Sequence, residues 1–262
     1  MGSLLLGSAV ATAAFCQPLF PASSHLSWPP DPRTLAQLLL TLFQTEVWVE
    51  GGERVPAGPL VVVSNHRSFL DAPVLIAGLN RPIRFACHYY LAQVPLLREI
   101  ALALDCIPLK QGSRQQIHFF RQAQASLAAG MGVGIFPEGA EQITRETSPE
   151  EVGRFQPGFA HLALAAAVDP LPILPVAVWA QEEWRGVDIP MAFLRWFDPT
   201  EPRFQQEGGH PVVLYRRVVL RVGSPLWVSG KQRHGSRRER MQVIQELTTA
   251  AREQVRLGLV ER

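Results

Sequence analysis

Cysteine is scarce in this chain and never paired. Cys16, Cys87 and Cys106 are odd in number and widely spaced, with no CxxC. Neither a zinc site nor a disulfide framework is indicated, and a reducing, cytosol-facing location is the plain reading. A G-x-S-x-G nucleophile elbow is also missing, which weakens a serine-hydrolase reading. There is no internal repeat. The net charge of +2 is too small to imply nucleic-acid binding, although a modest basic excess suits anionic lipid surfaces or an acidic carrier. What the chain does have is apolar content. Hydrophobic residues make up 47% of its 262 positions and charged residues 18%, enough to bury a sizeable core and to exclude disorder. The length allows one large α/β domain or two small ones.

Residues 1–30 contain no Lys, Arg, Asp or Glu. Leu4 to Phe20 is largely apolar but interrupted by Gly7, Ser8, Thr12 and Gln17. It lacks the basic start of a signal peptide and is shorter and richer in alanine than a span of about 20 strongly apolar residues. Two readings stay open: a membrane-embedded or re-entrant segment, and a loosely packed or disordered leader. Pro29, Pro30 and Pro32 close this leader at residues 1–32. Across 33–45, Leu35, Leu38, Leu39, Leu42 and Phe43 fall near helical spacing and predict an amphipathic helix. Such a helix belongs to a core or lies in a membrane interface, and the uncharged leader before it favours the interface.

From 46 to 262 the pattern alternates. EVWVE, LVVVS, IRFACHY, the Cys106–Pro108 region, GVGIF, ILPVAVW and VVLYRRVVLRVG read as strands. FLDAPVLIAGL, PLLREIALAL, Ser113 to Ala129, GFAHLALAAAV and Arg237 to Leu257 read as helices. This predicts an α/β fold: a largely parallel central sheet flanked by helices, with an N-terminal membrane-associating helical segment. Residues 181–211 break the rhythm. Their IPMAFLRWF, with Phe193, Trp196 and Phe197, reads as a long loop packed by its own aromatics, or as an aromatic lid or membrane-dipping loop. The basic stretch KQRHGSRRER before the last helix reads as a solvated helix start, with lipid phosphates or an acidic protein as alternative contacts.

The strongest local signal is NHRSFLDA, with His66 and Asp71 five residues apart. On one continuous helix that spacing would point the two side chains apart. They meet only if His66 lies on the loop leaving LVVVS and Asp71 in the first turns of the next helix. Loops at the carboxyl ends of parallel strands are where open α/β sheets place ligands. A His held by a carboxylate is a general base of fixed tautomer. Its nucleophile is either a protein serine, Ser64 or Ser68, or a hydroxyl on a substrate, and Ser68 reads more plainly as a helix cap. A lone His–Asp pair is often structural, but FPEGA at 136–140 adds Glu138 and the conformationally free Gly139 on a tight strand-to-helix turn. Backbone N–H groups on such a turn suit a phosphate or an oxyanion. The preceding GMGVG lies between a helix and a strand, the wrong order for a dinucleotide loop, and Gly130 reads as a helix C-cap.

NHRSFLD and FPEG resemble the first and third motifs of the glycerophospholipid acyltransferase family, of the lysophosphatidic acid acyltransferase type. IPLKQGSR at 107–114 and ILPVAV at 173–178 are similar to its second and fourth motifs, in the expected order, and the likeness covers about residues 34–257. The resemblance implies that His66 deprotonates the acceptor hydroxyl and Asp71 orients it. The hydroxyl then attacks the thioester of acyl carrier protein or coenzyme A, with no acyl-enzyme, metal or other cofactor. Lys110 and Arg114 would hold the acceptor phosphate, Glu138 and Gly139 would shape the acceptor side, and Asn65 would fix the loop through local hydrogen bonds. Implied partners are the lipid bilayer, a lysophospholipid acceptor and the acyl thioester, not nucleic acid. The implied location is peripheral or monotopic on the cytoplasmic face of a membrane.

The third motif departs from the family's FPEGTRS, with Ala140, Glu141 and Gln142 following Gly139. Arg145 would then substitute for the missing arginine, or the acceptor differs: glycerol 3-phosphate, another lysophospholipid or a lyso-glycolipid. Alternatives of another class are a lipid or thioester hydrolase and a catalytically degenerate membrane-binding scaffold. His88 reads as strand-end packing, His161 as helix packing or a neutral hydrogen-bonder, and Glu182 and Glu183 as a solvated pair.

Overall fold

The computed structural model describes residues 31–88, 97–109, 113–139, 147–197, 199, 202–205 and 207–260. Residues 1–30 of the leader expected at 1–32 lie outside these residues, as do Lys110, Glu141 and Arg145. Helix α1 (Pro32–Leu42) starts where Asp31 accepts from the Arg33 and Thr34 N–H groups and proline occupies the first turn. It buries Ala36 and Leu40 and leaves Leu38 and Leu42 exposed, the latter by 73%.

The sheet strands are β1 (Glu46–Glu50), β2 (Val61–Ser64), β3 (Ile83–His88), β4 (Ile107–Leu109), β5 (Gly132–Ile135) and β6 (Leu171–Arg185). A short hairpin of β7 (Ile189–Pro190) and β8 (Gly209–His210) follows, before β9 (Val213–Val222) and β10 (Leu226–Val228). The helices after α1 are α2 (Asp71–Gly78), α3 (Leu97–Ala103), α4 (Ser113–Ala128), α5 (Gly158–Ala165), α6 (Met191–Phe197), α7 (Gly230–Arg233) and α8 (Arg237–Gly258).

The sheet runs β1–β9–β6–β2–β5–β3–β4, with β10 also on β6. Five pairings are parallel, and only β6–β9 and β6–β10 are antiparallel, so the sheet is largely parallel. Alternation along the strands builds two apolar layers. Val61 and Val63 face α4, α5 and α8, while Val62 faces α1 and α2. All three valines are fully buried, worth about 1.5–3 kcal/mol each. Gly130, at φ +81°, ends α4: its N–H reaches Leu127 O and that of Met131 reaches Ser126 O, a Schellman cap.

The structure redraws the region expected as an aromatic loop at 181–211. Strand β6 continues to Arg185, because beyond Ala180 it pairs with β9 through a register shift around Glu182. IPMAFLRWF is not a loop but the two residues of β7 followed by helix α6, whose Met191 and Leu194 pack with Phe204 in a small separate core. Helix α5 also starts later than a tight turn after GVGIF would allow, at Gly158.

Candidate active site

β2 delivers the loop 65–70 to the carboxyl edge of the sheet, and α2 begins at Asp71. The His66 Nδ1 and Asp71 Oδ2 atoms are 2.8 Å apart. The imidazole is 20% exposed and the carboxylate fully buried. Asp71 Oδ2 also accepts from the Arg67 N–H at 2.7 Å and the Ser68 N–H at 2.9 Å. The Tyr215 hydroxyl donates to Oδ1 at 2.6 Å. With the carboxylate accepting, the imidazole carries its proton on Nδ1 and leaves Nε2 free as a base. Burial, and Asp71 beside it, push the Tyr215 hydroxyl well above its ordinary range. It therefore stays a donor.

Glu138 brackets the same loop from the turn after β5. Its Oε2 accepts from the His66 N–H at 3.1 Å and its Oε1 from the Gly153 N–H at 2.7 Å. Burial raises its carboxyl above the ordinary value, and those two bonds oppose the rise. Gly139, at φ +71°, follows it, and its N–H closes the turn onto Phe136 O. Asn65 is buried and pairs both amide groups with the backbone of Val178 on β6, at 2.8 and 2.9 Å. Its bonds are long-range rather than local. They extend the β2–β6 ladder by one side chain.

The candidate serines are engaged. Ser64 is buried, with its hydroxyl on Asn65 Oδ1. Ser68 donates to Val213 O at 2.6 Å and accepts from the Leu70 N–H. It does not cap α2, whose N-cap is Leu70 without a side-chain bond, because the turn bond is made before the helix begins.

Phe136, from the same FPEG run, stacks on His66 with centroids 4.1 Å apart and on Phe85 at 5.1 Å. Gly134 makes room for that stack, since a Cβ there would meet the Phe85 ring at 2.2 Å. Gly134→Val is expected to destabilise by about 1–3 kcal/mol and to slow catalysis by shifting Phe136 under the imidazole. An unchanged urea midpoint would remove the packing argument.

Five residues near the site were not singled out in the sequence as part of it: Tyr215, Phe136, His210, and Arg67 with its partner Glu183. Glu183 is not solvated. Arg67, almost wholly buried, donates to both of its carboxylate oxygens at 2.7 and 3.2 Å, and to Thr147. Arg67→Met should cost about 3–5 kcal/mol by stranding Glu183. Adding Glu183→Leu should return much of that loss in chemical denaturation, and an equally unstable double variant would show that the pair is not what matters. His210 on β8 donates Nδ1–H to Pro211 O at 2.9 Å. Burial keeps its imidazole below the usual value, and the nearby His66 adds to that effect. The alternation Val213–Tyr215 on a strand face was the one available cue for Tyr215.

Of the other expected residues, Arg114 lies in α4, and Lys110 and Arg145 fall outside the described residues. His88 ends β3 and is half-buried. His161 is exposed on α5 rather than packed, and Glu182 is exposed.

Comparison with known proteins decides the relationship. The Acyltransferase family profile matches residues 46–179, just over half of the chain. The chain belongs to the glycerophospholipid acyltransferase family. A "Probable 1-acyl-sn-glycerol-3-phosphate acyltransferase" of Mycoplasma pneumoniae is 28% identical over 163 residues, 58% of each protein. The chloroplastic 1-acyl-sn-glycerol-3-phosphate acyltransferase LPAT1 of Arabidopsis thaliana is 29% identical over 128 residues, 48% of this chain and 34% of that protein. The chain thus matches well under two thirds of these relatives' lengths. The crystal structure of the 1-acyl-sn-glycerophosphate acyltransferase PlsC from Thermotoga maritima superposes with a TM-score of 0.54 at 20% identity, covering 88% of this chain and 80% of that one. At that identity the likeness is one of fold. Within this acyltransferase domain, His66, Asp71 and Glu138 all fall inside the matched residues, whereas Glu183, His210 and Tyr215 lie beyond them. Among the described residues no helix is long and apolar enough to cross a membrane.

Proposed function

We propose that this chain is an O-acyltransferase. It moves a fatty acyl group from an acyl carrier protein or coenzyme A thioester to the free hydroxyl of a lysophospholipid, with 1-acylglycerol-3-phosphate as acceptor and phosphatidic acid as product. The observation that carries this reading is an imidazole fixed by a buried carboxylate, with both neighbouring serine hydroxyls committed elsewhere. A base without a protein nucleophile suits a substrate hydroxyl. His66 Nε2 takes the hydroxyl proton as the oxygen attacks the thioester carbonyl. Asp71 stabilises the imidazolium, and the proton passes to the departing thiolate as the carbon–sulfur bond breaks. Lys110, Arg114 and Arg145 would hold the acceptor phosphate, and the similarity to 1-acyl-sn-glycerol-3-phosphate acyltransferases supports the choice of acceptor.

A monotopic or peripheral seat on the cytoplasmic face of a membrane fits this acceptor. Phe69, 44% exposed on the catalytic loop, meets Phe43 after α1 with ring centroids 5.4 Å apart. Leu38 and Leu42 on α1, and Phe193 and Trp196 on α6, are exposed too. These apolar groups suit the acyl region of a bilayer.

The test is an acceptor screen with one labelled acyl thioester against 1-acylglycerol-3-phosphate, glycerol 3-phosphate, other lysophospholipids and lyso-glycolipids. Acceptor-dependent phosphatidic acid is the expected product. Fatty acid release independent of any acceptor would instead identify a hydrolase.

A further inference from the structure

At the opposite end of the sheet from His66, Arg233 is buried without a full set of partners. Its side chain is only 10% exposed. Yet its Nε is, among the described residues, the one buried side-chain nitrogen or oxygen with no hydrogen-bond partner. Its other nitrogens are weakly held: one lies 3.9 Å from Asp169 and the other 3.4 Å from Val228 O. Asp169 is itself engaged, accepting from the Gly230 N–H at 2.9 Å. A guanidinium removed from water in this way is costly unless something else completes its bonds.

Arg233 lines a cleft of about 380 Å³ between α5 and α8, together with His161, Arg237 and Arg240. Leu164 and Ile244 supply an apolar wall. An adjoining cleft of about 440 Å³ shares Arg233 and reaches Asp169.

The start of α8 is a second, independent observation. Arg237, Arg238 and Arg240 all lie in its first turn, the positive end of the helix dipole, where cations are unfavourable. The single first-turn carboxylate, Glu239, is turned back to accept from the Ser236 N–H at 2.6 Å in a capping box. These arginines form no ion pair among the described residues. An anion in the cleft would relieve this repulsion.

We infer that this cleft is a second binding site, separate from the catalytic one, for a phosphate group held by Arg233, Arg237 and Arg240. Guanidinium groups match phosphate through paired, charge-assisted hydrogen bonds, and the apolar wall accepts the organic part of a phosphate ester. The cleft adjoins the start of β6, whereas the catalytic loop meets β6 at Val178. At about 3.3 Å per residue the two sites stand roughly 20 Å apart. The inference does not depend on the acyl-transfer reading.

The experiment uses the full chain in detergent, titrated calorimetrically with inorganic phosphate and, separately, with dihexanoyl phosphatidic acid. Wild type is compared with Arg237→Gln/Arg240→Gln. Both substitutions are at exposed positions, so the variant should fold, and without ligand it should melt no lower than wild type. Ligand affinity should fall by roughly tenfold or more in the variant, and ligand should raise the melting temperature of wild type much further than that of the variant. Equal binding of both ligands would assign the site to the phosphate group alone. Binding of the lipid only, weakened in the Arg237→Gln/Arg240→Gln variant, would assign it to a phospholipid headgroup. Identical affinities in variant and wild type, or no binding by wild type at millimolar concentrations, would overturn the inference. Arg233→Gln is a second probe, expected to weaken binding in the same way.

Discussion

Asp71→Ala is expected to destabilise the protein by roughly 3–9 kcal/mol, because it strands three buried donors at about 1–3 kcal/mol each. Those donors are the backbone N–H groups of Arg67 and Ser68 and the hydroxyl of Tyr215. Against a total stability of about 5–15 kcal/mol, that loss puts the fold itself at risk. Asp71→Asn separates the two roles of this residue. Its carbonyl oxygen keeps the two backbone donors, and its amide faces Tyr215, whose hydroxyl rotates to accept. The fold should then survive within about 1–2 kcal/mol, while acyl transfer falls by about 10²–10⁴-fold for want of a charge behind the imidazolium. Urea denaturation of both variants, read beside an assay of thiol release, checks this. An alanine variant as stable as wild type would mean that the carboxylate is not the hub of the loop.

His66→Ala should reverse the balance. The imidazole contributes one partly exposed stack on Phe136 and no bond that the backbone needs, so melting should change little. Transfer to the acceptor should drop by about 10²–10⁴-fold, the contribution of a positioned general base. Substantial activity in this variant would contradict the proposed mechanism.

The legible parts of this protein were local ones. Short β-branched runs such as Val61–Val63 predicted buried strands, and the five-residue spacing of His66 and Asp71 required a strand, a loop and a helix start, which is the arrangement found. The illegible parts depend on partners far away in the chain. Nothing in AQEEWR says that β6 continues, because its extension rests on pairing with β9 some thirty residues later. Glu183 beside Glu182 has no mark of burial until Arg67, 116 positions earlier, is brought against it. Asn65 looks like a loop residue, and only the neighbouring strand turns its amide into a rung of the sheet. Tyr215 sits where any core aromatic would sit. Its role appears only with Asp71 beneath it.

The antiparallel turn of β9 has a consequence for how the enzyme comes into being. The catalytic loop is synthesised early, but its braces come late: Tyr215 follows Asp71 by 144 residues and Val213 follows Ser68 by 145. At about 5–20 residues per second a ribosome takes on the order of ten seconds to cover that distance. For that interval the nascent chain carries His66 and Asp71 without the hydroxyl and carbonyl that hold them. The site therefore matures only as the second half of the sheet closes, and an unfinished chain has no organised base.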